Sequence, residues 1–223
     1  VVNFPTFRGA MEAAQHIVKL GPTAVELVDR IMIELALANP AFKPVMETAL
    51  IGRPAAILLV ELAGPDKAAL VAQLDRLVQL AGDRLGLTDP RRGGVVRMEN
   101  DAAQKALWEV RKAGLNIMMS LKGDGKPVSF IEDCAVPLEH LAEYTDALTE
   151  VFAKHGTRGT WYAHASVGCL HVRPILNMKT EAGVKAMRAI AEETQKIYKE
   201  VLGEKAFRHY SRRTANPWMR AGQ

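Results

Sequence analysis

The fold of this chain is decided by the stretch Trp161-Tyr-Ala-His-Ala-Ser-Val-Gly-Cys-Leu-His-Val-Arg-Pro174. Polar and apolar residues alternate on both sides of Val167-Gly168, which predicts two antiparallel strands joined by a tight turn. If that turn has two residues, His164 lies directly opposite His171. Opposed side chains share a face of the sheet, with Cβ atoms about 5 Å apart. The sequence therefore predicts that the two imidazoles lie together.

The same register places Tyr162 opposite Arg173, so one face carries a tyrosine, two histidines and an arginine. Two imidazoles at this separation can hold one metal ion, but zinc or manganese needs a third ligand, usually a carboxylate or another imidazole. The neighbouring residues offer no clear one. The alternative is two half-buried histidines that are hydrogen-bonded to backbone carbonyls, and the residues alone leave both interpretations open.

Outward from this hairpin, strands and helices interleave along the chain. The segment Ala55–Leu62 is too apolar for an exposed strand, which predicts a central one. We therefore expect an α+β fold of the ferredoxin-like kind, with an antiparallel or mixed sheet and helices packed on it. The predicted strands are 1–4, 23–28, 55–62, 93–98, 128–136, 160–164 and 170–173, and the predicted helices are 9–20, 29–38, 67–85, 101–113, 137–155 and 180–202.

Composition narrows the class of protein. The 223 residues are 48% hydrophobic and 24% charged, which is ordinary for a globular protein. No apolar run approaches the roughly 20 residues that cross a bilayer, and Cys134 and Cys169 are too few for a disulfide framework. We expect both cysteines to be small buried hydrophobes. A membrane protein, a secreted disulfide scaffold and a disordered tail are thereby excluded.

The net charge of +4 is confined to the last residues. Residues 203–223 hold five lysines and arginines against one glutamate, so residues 1–202 are neutral. A nucleic-acid surface would instead show as a basic stripe on the folded body. The sequence thus predicts one domain, 1–202, followed by a basic tail, 203–223, and no nucleic-acid partner.

Two cationic residues outside the hairpin are further candidates. Arg111 lies late in a predicted helix, where it either complements the helix dipole in solvent or binds a substrate carboxylate through its planar guanidinium. Lys126 follows a short Gly-Asp-Gly loop and would add a point charge. Glu132 and Asp133 are adjacent on a predicted strand and are expected to point to opposite faces, so that they cannot act as a pair.

Three motifs together resemble a known family. Trp108-x-x-Arg111, Phe130-Ile-Glu-Asp-Cys-Ala-Val-Pro137 and the hairpin stretch from His164 are similar to the C-terminal substrate domain of FAD-linked oxidoreductases. These are the group of glycolate oxidase, D-lactate dehydrogenase and D-2-hydroxyglutarate dehydrogenase. The resemblance covers about residues 1–202 and is nearest to long members that are fused to an iron–sulfur module.

The resemblance implies a function for the whole enzyme: FAD-dependent oxidation of a D-2-hydroxy acid such as lactate, glycolate or 2-hydroxyglutarate. FAD would be bound mainly by an N-terminal domain, so that residues 1–223 alone would be inactive. His164 and His171 would bind a divalent metal such as zinc or polarise the substrate hydroxyl, and Arg111 and Lys126 would hold its carboxylates. A cytoplasmic location is implied. Attachment to the inner membrane surface, the iron–sulfur cluster, the electron acceptor and a homodimer are left open.

The chain departs from the family pattern at three places. The family embeds its histidines in Gly-His-x-Gly-Asp-Gly-Asn-x-His. Here the first Gly, the second Gly, the Asp and the Asn are replaced by Ala163, Ser166, Val167 and Cys169. Arg173 stands where an Asn is common, which favours a substrate with a second acidic group. The Ser-Gly-Glu-His-Gly segment that follows the last helix is missing, so the implied metal site is incomplete. A stand-alone module that binds a small acid or a metal, and an inactive copy of the enzyme, are the alternatives.

Overall fold

A computed structural model describes residues 1–89 and 91–213. The described strands form one sheet in which every pairing is antiparallel, in the order β4-β1-β3-β2-β7-β8-β5, with β6 also paired to β8. The strands are β1 (Val2–Phe4), β2 (Ala24–Asp29), β3 (Ala56–Glu61), β4 (Gly94–Val95), β5 (Lys126–Pro127), β6 (Cys134–Ala135), β7 (Gly159–His164) and β8 (Cys169–Leu176). The α+β prediction is confirmed.

Helices cover both faces of this sheet. Alternate residues of the apolar strand β3 enter two separate cores, Leu58 on one side and Ile57 on the other. This double burial explains why residues 56–60 of β3 are all apolar and confirms the central position of the strand. The helices are α1 (Phe7–Ile17), α2 (Arg30–Ala38), α3 (Lys43–Ala49), α4 (Lys67–Asp83), α5 (Asp101–Lys112), α6 (Gly114–Met119), α7 (Leu141–Lys154) and α8 (Glu181–Arg213).

The hairpin of β7 and β8 has a longer connection than its sequence predicts. Residues 165–168 form a turn of 3-10 helix ended by Gly168 at φ 67°. His164 therefore pairs with Cys169, and Tyr162 pairs with His171. The predicted pairs of His164 with His171 and of Tyr162 with Arg173 are wrong by two residues. Since the side-chain period of a strand is two, the same side chains still share one face.

Three other segments differ from their predictions. Of the predicted strand 128–136 only β6 forms, because the backbone leaves the extended region at Asp133, with φ 58°; β5 lies before the predicted start. Gly114 begins α6 instead of ending α5; a Cβ there would lie 2.8 Å from the Met32 side chain, so close approach explains the glycine. Helix α3, whose short apolar pattern is interrupted by Pro44, has no counterpart among the predicted elements.

The last helix is interrupted near the predicted domain boundary. Gly203 adopts φ 75° and ψ 155°, which is not helical, within the span of α8. The predicted helix 180–202 ends at that glycine. Residues 214–223 of the predicted basic tail lie outside the described residues, and the division into domain and tail stays a prediction. None of the helices in the described part of the chain combines the length and hydrophobicity needed to cross a bilayer.

Asp29, at the end of β2, links this strand to α2 and β7. Its carboxylate accepts hydrogen bonds from the backbone N–H of Met32 at 2.8 Å, as the N-cap of α2, and from that of Trp161 in β7 at 3.0 Å. The side chain is buried, and burial raises its pKa from 3.8 to about 7, although both amides oppose that shift. The folded protein thus binds this proton more tightly than the unfolded chain.

We expect this carboxyl group to make stability depend on pH. The stabilisation that the protonated Asp29 carboxyl group gives to the folded state is fully present below about pH 4 and is lost as the pH rises through 7. Relative to Asp29→Asn, the wild-type chain should therefore lose unfolding free energy between about pH 4 and pH 7 in urea titrations. A difference between the two proteins that does not change with pH would contradict this assignment.

Candidate functional site

One face of the β7–β8 hairpin gathers the predicted polar residues. The rings of Tyr162 and His171 stack with centroids 4.6 Å apart, and His164 meets His171 edge-on at 5.2 Å. The Arg111 guanidinium, from α5, lies 5.0 Å above the Tyr162 ring. Four of the predicted site residues are thus in direct contact although the predicted pairing is wrong. The hairpin cluster consists of Glu26, Arg111, Glu132, Asp133, Tyr162, His164, Cys169, His171 and Arg173.

Glu26 connects the helix to the hairpin, and sequence analysis misses it. One carboxylate oxygen accepts a hydrogen bond from Arg111 at 2.5 Å, and the other lies 2.8 Å from Nδ1 of His164. The contact with His164 follows from the pairing of β2 with β7, which places the two residues opposite each other. A glutamate in the otherwise apolar strand Ala24–Val28 is the signal that could have found it, because an unpaired buried carboxylate is costly.

Glu132 and Asp133 both reach the cluster. Glu132 forms an ion pair with Arg173, and Asp133 lies 3.0 Å from Nδ1 of His171. The prediction that they point to opposite faces is wrong, because it assumes an unbroken strand. The positive φ of Asp133 breaks the alternation and brings both carboxylates to the same side.

Lys126 is not brought to the hairpin cluster. It lies in β5 opposite Leu176, three residues beyond Arg173, which is about 10 Å along the strand. Its ammonium donates a hydrogen bond to the backbone carbonyl of Leu121. Its proposed role in holding a carboxylate therefore stays a prediction without a supporting contact.

Burial controls the protonation of the central groups. It lowers the pKa of His171 below its ordinary value, with a smaller opposing effect from the Asp133 carboxylate. It raises the pKa of Tyr162 and that of Cys169. At neutral pH His171 is therefore an uncharged imidazole, the form that accepts a proton or binds a metal. Cys169 is half-buried, whereas Cys134 is fully buried as predicted.

Each histidine of the cluster has a carboxylate beside its Nδ1. Nδ1 of His164 contacts Glu26, and Nδ1 of His171 contacts Asp133. A carboxylate on one ring nitrogen is the usual support for a histidine whose other nitrogen binds a metal or a substrate. Among the described residues, however, the group that brings three metal donors together is Asp133, Cys169 and His171, which does not include His164. The metal pair predicted from the sequence therefore stays a prediction.

One cavity of the described residues lies away from the hairpin cluster. That cavity, of about 450 Å³, opens beside β3 between α4 and α5, and no member of the hairpin cluster lines it. The His164 side chain is instead 50% exposed, while those of Arg111 and Arg173 are 11% and 12% exposed. The imidazole of His164 is thus accessible, whereas the two guanidinium groups of the cluster are nearly buried.

Comparison with known proteins identifies the domain. The family model described as FAD linked oxidases, C-terminal domain, matches residues 1–206. The chain belongs to this family. The resemblance predicted from the three motifs is confirmed at the level of this FAD-linked oxidase C-terminal domain, and the fused iron–sulfur module stays a prediction.

Several curated relatives share this domain. D-2-hydroxyglutarate dehydrogenases from Pantoea ananatis and Escherichia coli are each 30% identical to the chain, over 200 and 202 residues and 86% of its length. The same enzyme from Haemophilus influenzae is 26% identical over 199 residues, or 88% of the chain. In each case the aligned part is 19% of the relative. The FAD-linked oxidase C-terminal domain described here thus spans about a fifth of the length of these relatives.

Proposed function

We propose that this domain holds the substrate of an FAD-dependent dehydrogenase that oxidises a D-2-hydroxy acid, such as lactate, glycolate or 2-hydroxyglutarate. The main support is the hairpin cluster, in which two arginines and two histidines, each histidine beside a carboxylate, share one face of the sheet. The chain also belongs to the family of FAD-linked oxidase C-terminal domains. The relatives named D-2-hydroxyglutarate dehydrogenase support the substrate class.

The residues present fit the substrate side of a flavin site. The half-exposed imidazole of His164 is accessible to a group carried by another domain, and the nearly buried guanidinium groups of Arg111 and Arg173 would supply fixed donors. The sequence holds no nucleotide-binding fingerprint, so FAD would be held mainly by that other domain. When bound there, FAD supplies the acceptor for the hydride of the hydroxyl-bearing carbon.

Arg111 is placed to bind the carboxylate of the substrate. One of its nitrogens is paired with Glu26, which holds the guanidinium plane in position. Its Nε–H is buried and has no hydrogen-bond partner among the described residues. A buried donor without a partner is costly, and a substrate carboxylate would satisfy it.

The histidines supply the acid–base group. Because Glu26 occupies Nδ1 of His164, Nε2 is left to accept the proton of the substrate hydroxyl as the hydride leaves the same carbon. His171, whose pKa is lowered by burial, is a second acceptor beside it. The substrate loses one proton and one hydride and becomes the 2-oxo acid.

Arg173 is proposed to select a second carboxylate. Its guanidinium is paired with Glu132 through Nε and also hydrogen-bonds to Tyr162, and its remaining N–H groups would bind an acidic group at the far end of a dicarboxylate. In the complete enzyme, Arg173→Ala should lower kcat/KM for D-2-hydroxyglutarate about 10- to 100-fold more than for D-lactate, since one charge-assisted hydrogen bond contributes about 1.5–3 kcal/mol. Equal losses for the two substrates would refute the selective role.

The proposed function is tested by expressing the complete reading frame and measuring reduction of an artificial dye by a panel of hydroxy acids. We expect turnover with D-2-hydroxy acids and much less with their L enantiomers, since the fixed positions of the arginine and the histidine favour one enantiomer of the substrate. A flavin-containing protein that turns over no acid of this class would overturn the substrate assignment.

A further inference from the structure

We propose that Tyr198, a residue of α8 outside the hairpin cluster, is a positioning residue that controls how well the site accepts a second carboxylate. It acts through the segment 131–136, which it binds at one backbone carbonyl and which carries Glu132, the ion-pair partner of Arg173. The inference rests on the proposed function, because it concerns the selection of a dicarboxylate by Arg173.

The segment that carries Glu132 is joined to the sheet by few backbone bonds. Within it, β6 has two residues and pairs with β8 alone among the described strands. The backbone N–H of Val136 donates a hydrogen bond to the carbonyl of Gly168 at 2.9 Å. Because the bonding direction alternates along an antiparallel strand, the carbonyl of the preceding residue, Ala135, points to the unpaired edge of β6. A carbonyl group in that position needs a donor from elsewhere in the fold.

Tyr198 supplies this donor. Its hydroxyl group donates a hydrogen bond to the carbonyl oxygen of Ala135 at 2.7 Å, across 63 positions of the sequence. The tyrosine is fully buried, and its ring meets that of Tyr144 in α7 edge-on with centroids 5.7 Å apart. Packing between α7 and α8 therefore fixes where the hydroxyl group lies. The position of Ala135 is thus set by two helices as well as by β8.

A compact turn carries this constraint to Glu132. The thiol of Cys134 lies 3.5 Å from the carbonyl oxygen of Ile131, to which it donates a weak hydrogen bond, and both side chains are buried. Between them, Asp133 has the left-handed φ of 58°. The segment is therefore a closed turn and not an extended strand that could absorb a shift. Displacement of Ala135 moves Glu132, and with it the guanidinium group that Glu132 holds.

The orientation of Arg173 decides what the site accepts. Its side chain is only 12% exposed and is paired with Glu132 through Nε. The planar fork of an arginine binds a carboxylate well only when its N–H groups are aligned with the oxygens. Loss of the Tyr198 hydroxyl group should therefore weaken binding of the distal carboxylate of a dicarboxylate. An accompanying shift of Asp133 affects all substrates alike, so the ratio between two substrates isolates the effect on Arg173.

The test compares Tyr198→Phe with Tyr144→Phe in the complete protein. Tyr144 is also fully buried, but its hydroxyl group donates to no backbone carbonyl among the described residues. We expect Tyr198→Phe to lower the ratio of kcat/KM for D-2-hydroxyglutarate to that for D-lactate at least about fivefold, mainly through KM, and Tyr144→Phe to leave it within about twofold. In a Glu132→Gln background, Tyr198→Phe should have no further effect on this ratio, because the two residues act in sequence.

Amide hydrogen exchange in the 223-residue chain gives a second readout that needs no flavin. The Val136 amide should exchange at least about tenfold faster in Tyr198→Phe than in the wild type, and at the wild-type rate in Tyr144→Phe. The proposal is overturned if the two variants change the substrate ratio equally, if Tyr198→Phe still changes it after Glu132→Gln, or if exchange at Val136 is unaffected. A wild-type protein that oxidises no D-2-hydroxy acid would overturn the proposed function and the role in selectivity, whereas the exchange rates would still decide whether Tyr198 holds this segment.

Discussion

Arg111→Ala in the complete protein should lower kcat/KM for the proposed D-2-hydroxy acid substrate about 10²- to 10³-fold, the equivalent of roughly 3–4 kcal/mol. The substitution removes the donor proposed for the substrate carboxylate. It also leaves Glu26 without its arginine, although that side chain is only 9% exposed. Loss of one partner from a buried ion pair is costly because the remaining charge is uncompensated.

Matched variants separate a specific role for Arg111 from a general loss of charge. Lys112 is the next residue and is exposed, so Lys112→Ala should leave activity within about twofold. Arg111→Lys keeps the charge but not the planar fork that lies over Tyr162, and should restore only part of the activity. Near-complete rescue by lysine, or equal losses at positions 111 and 112, would contradict the assignment.

Gly168→Ala should destabilise the domain by at least about 3 kcal/mol, which for a chain of this size lowers Tm by roughly 6–12 °C. Gly168 ends the connection between β7 and β8 with φ 67°, a conformation that costs a residue with a Cβ about 1–2 kcal/mol. A Cβ at this position would also lie 1.9 Å from the carbonyl oxygen of Val136. The backbone must move, and the hairpin cluster moves with it.

The control for this substitution is Gly156→Ala. Gly156 has nearly the same backbone angle, φ 66°, but a Cβ there meets nothing within 4 Å. We expect a loss of only about 1 kcal/mol, from backbone strain alone. Thermal unfolding of the two variants measures the difference directly. Similar Tm values for Gly156→Ala and Gly168→Ala would show that the close approach to Val136 is absent.

The sequence predicts the strands better than their connections. The apolar run of β3 and the alternation in β7 and β8 are local signals, and they correctly indicate a central strand and a hairpin. The length of the connection at residues 165–168 depends on Gly168 adopting a left-handed conformation beneath Val136, which is a tertiary contact. An even register error preserves the face of each side chain, so the gathering of His164 and His171 could still be predicted.

The residues that the sequence does not place are those positioned by distant elements. Glu26 reaches His164 because β2 pairs with β7, which are separated by 138 positions at that contact. Glu132 and Asp133 reach the cluster because a single positive φ interrupts the predicted strand. Local pattern carries no information on either feature. The family resemblance indicates Arg111 although the local pattern cannot place it. Lys126, which the resemblance implies as a second residue that holds the carboxylates, is not brought to the cluster.

The most direct test of the whole account is anaerobic addition of D-2-hydroxy acids to the purified full-length protein that contains this domain. We predict that the protein is yellow, and that D-2-hydroxyglutarate or D-lactate bleaches the visible flavin band in proportion to the acid added, whereas the Arg111→Ala variant stays oxidised. A flavin spectrum that remains unchanged with D-lactate, glycolate and D-2-hydroxyglutarate would contradict the central claim.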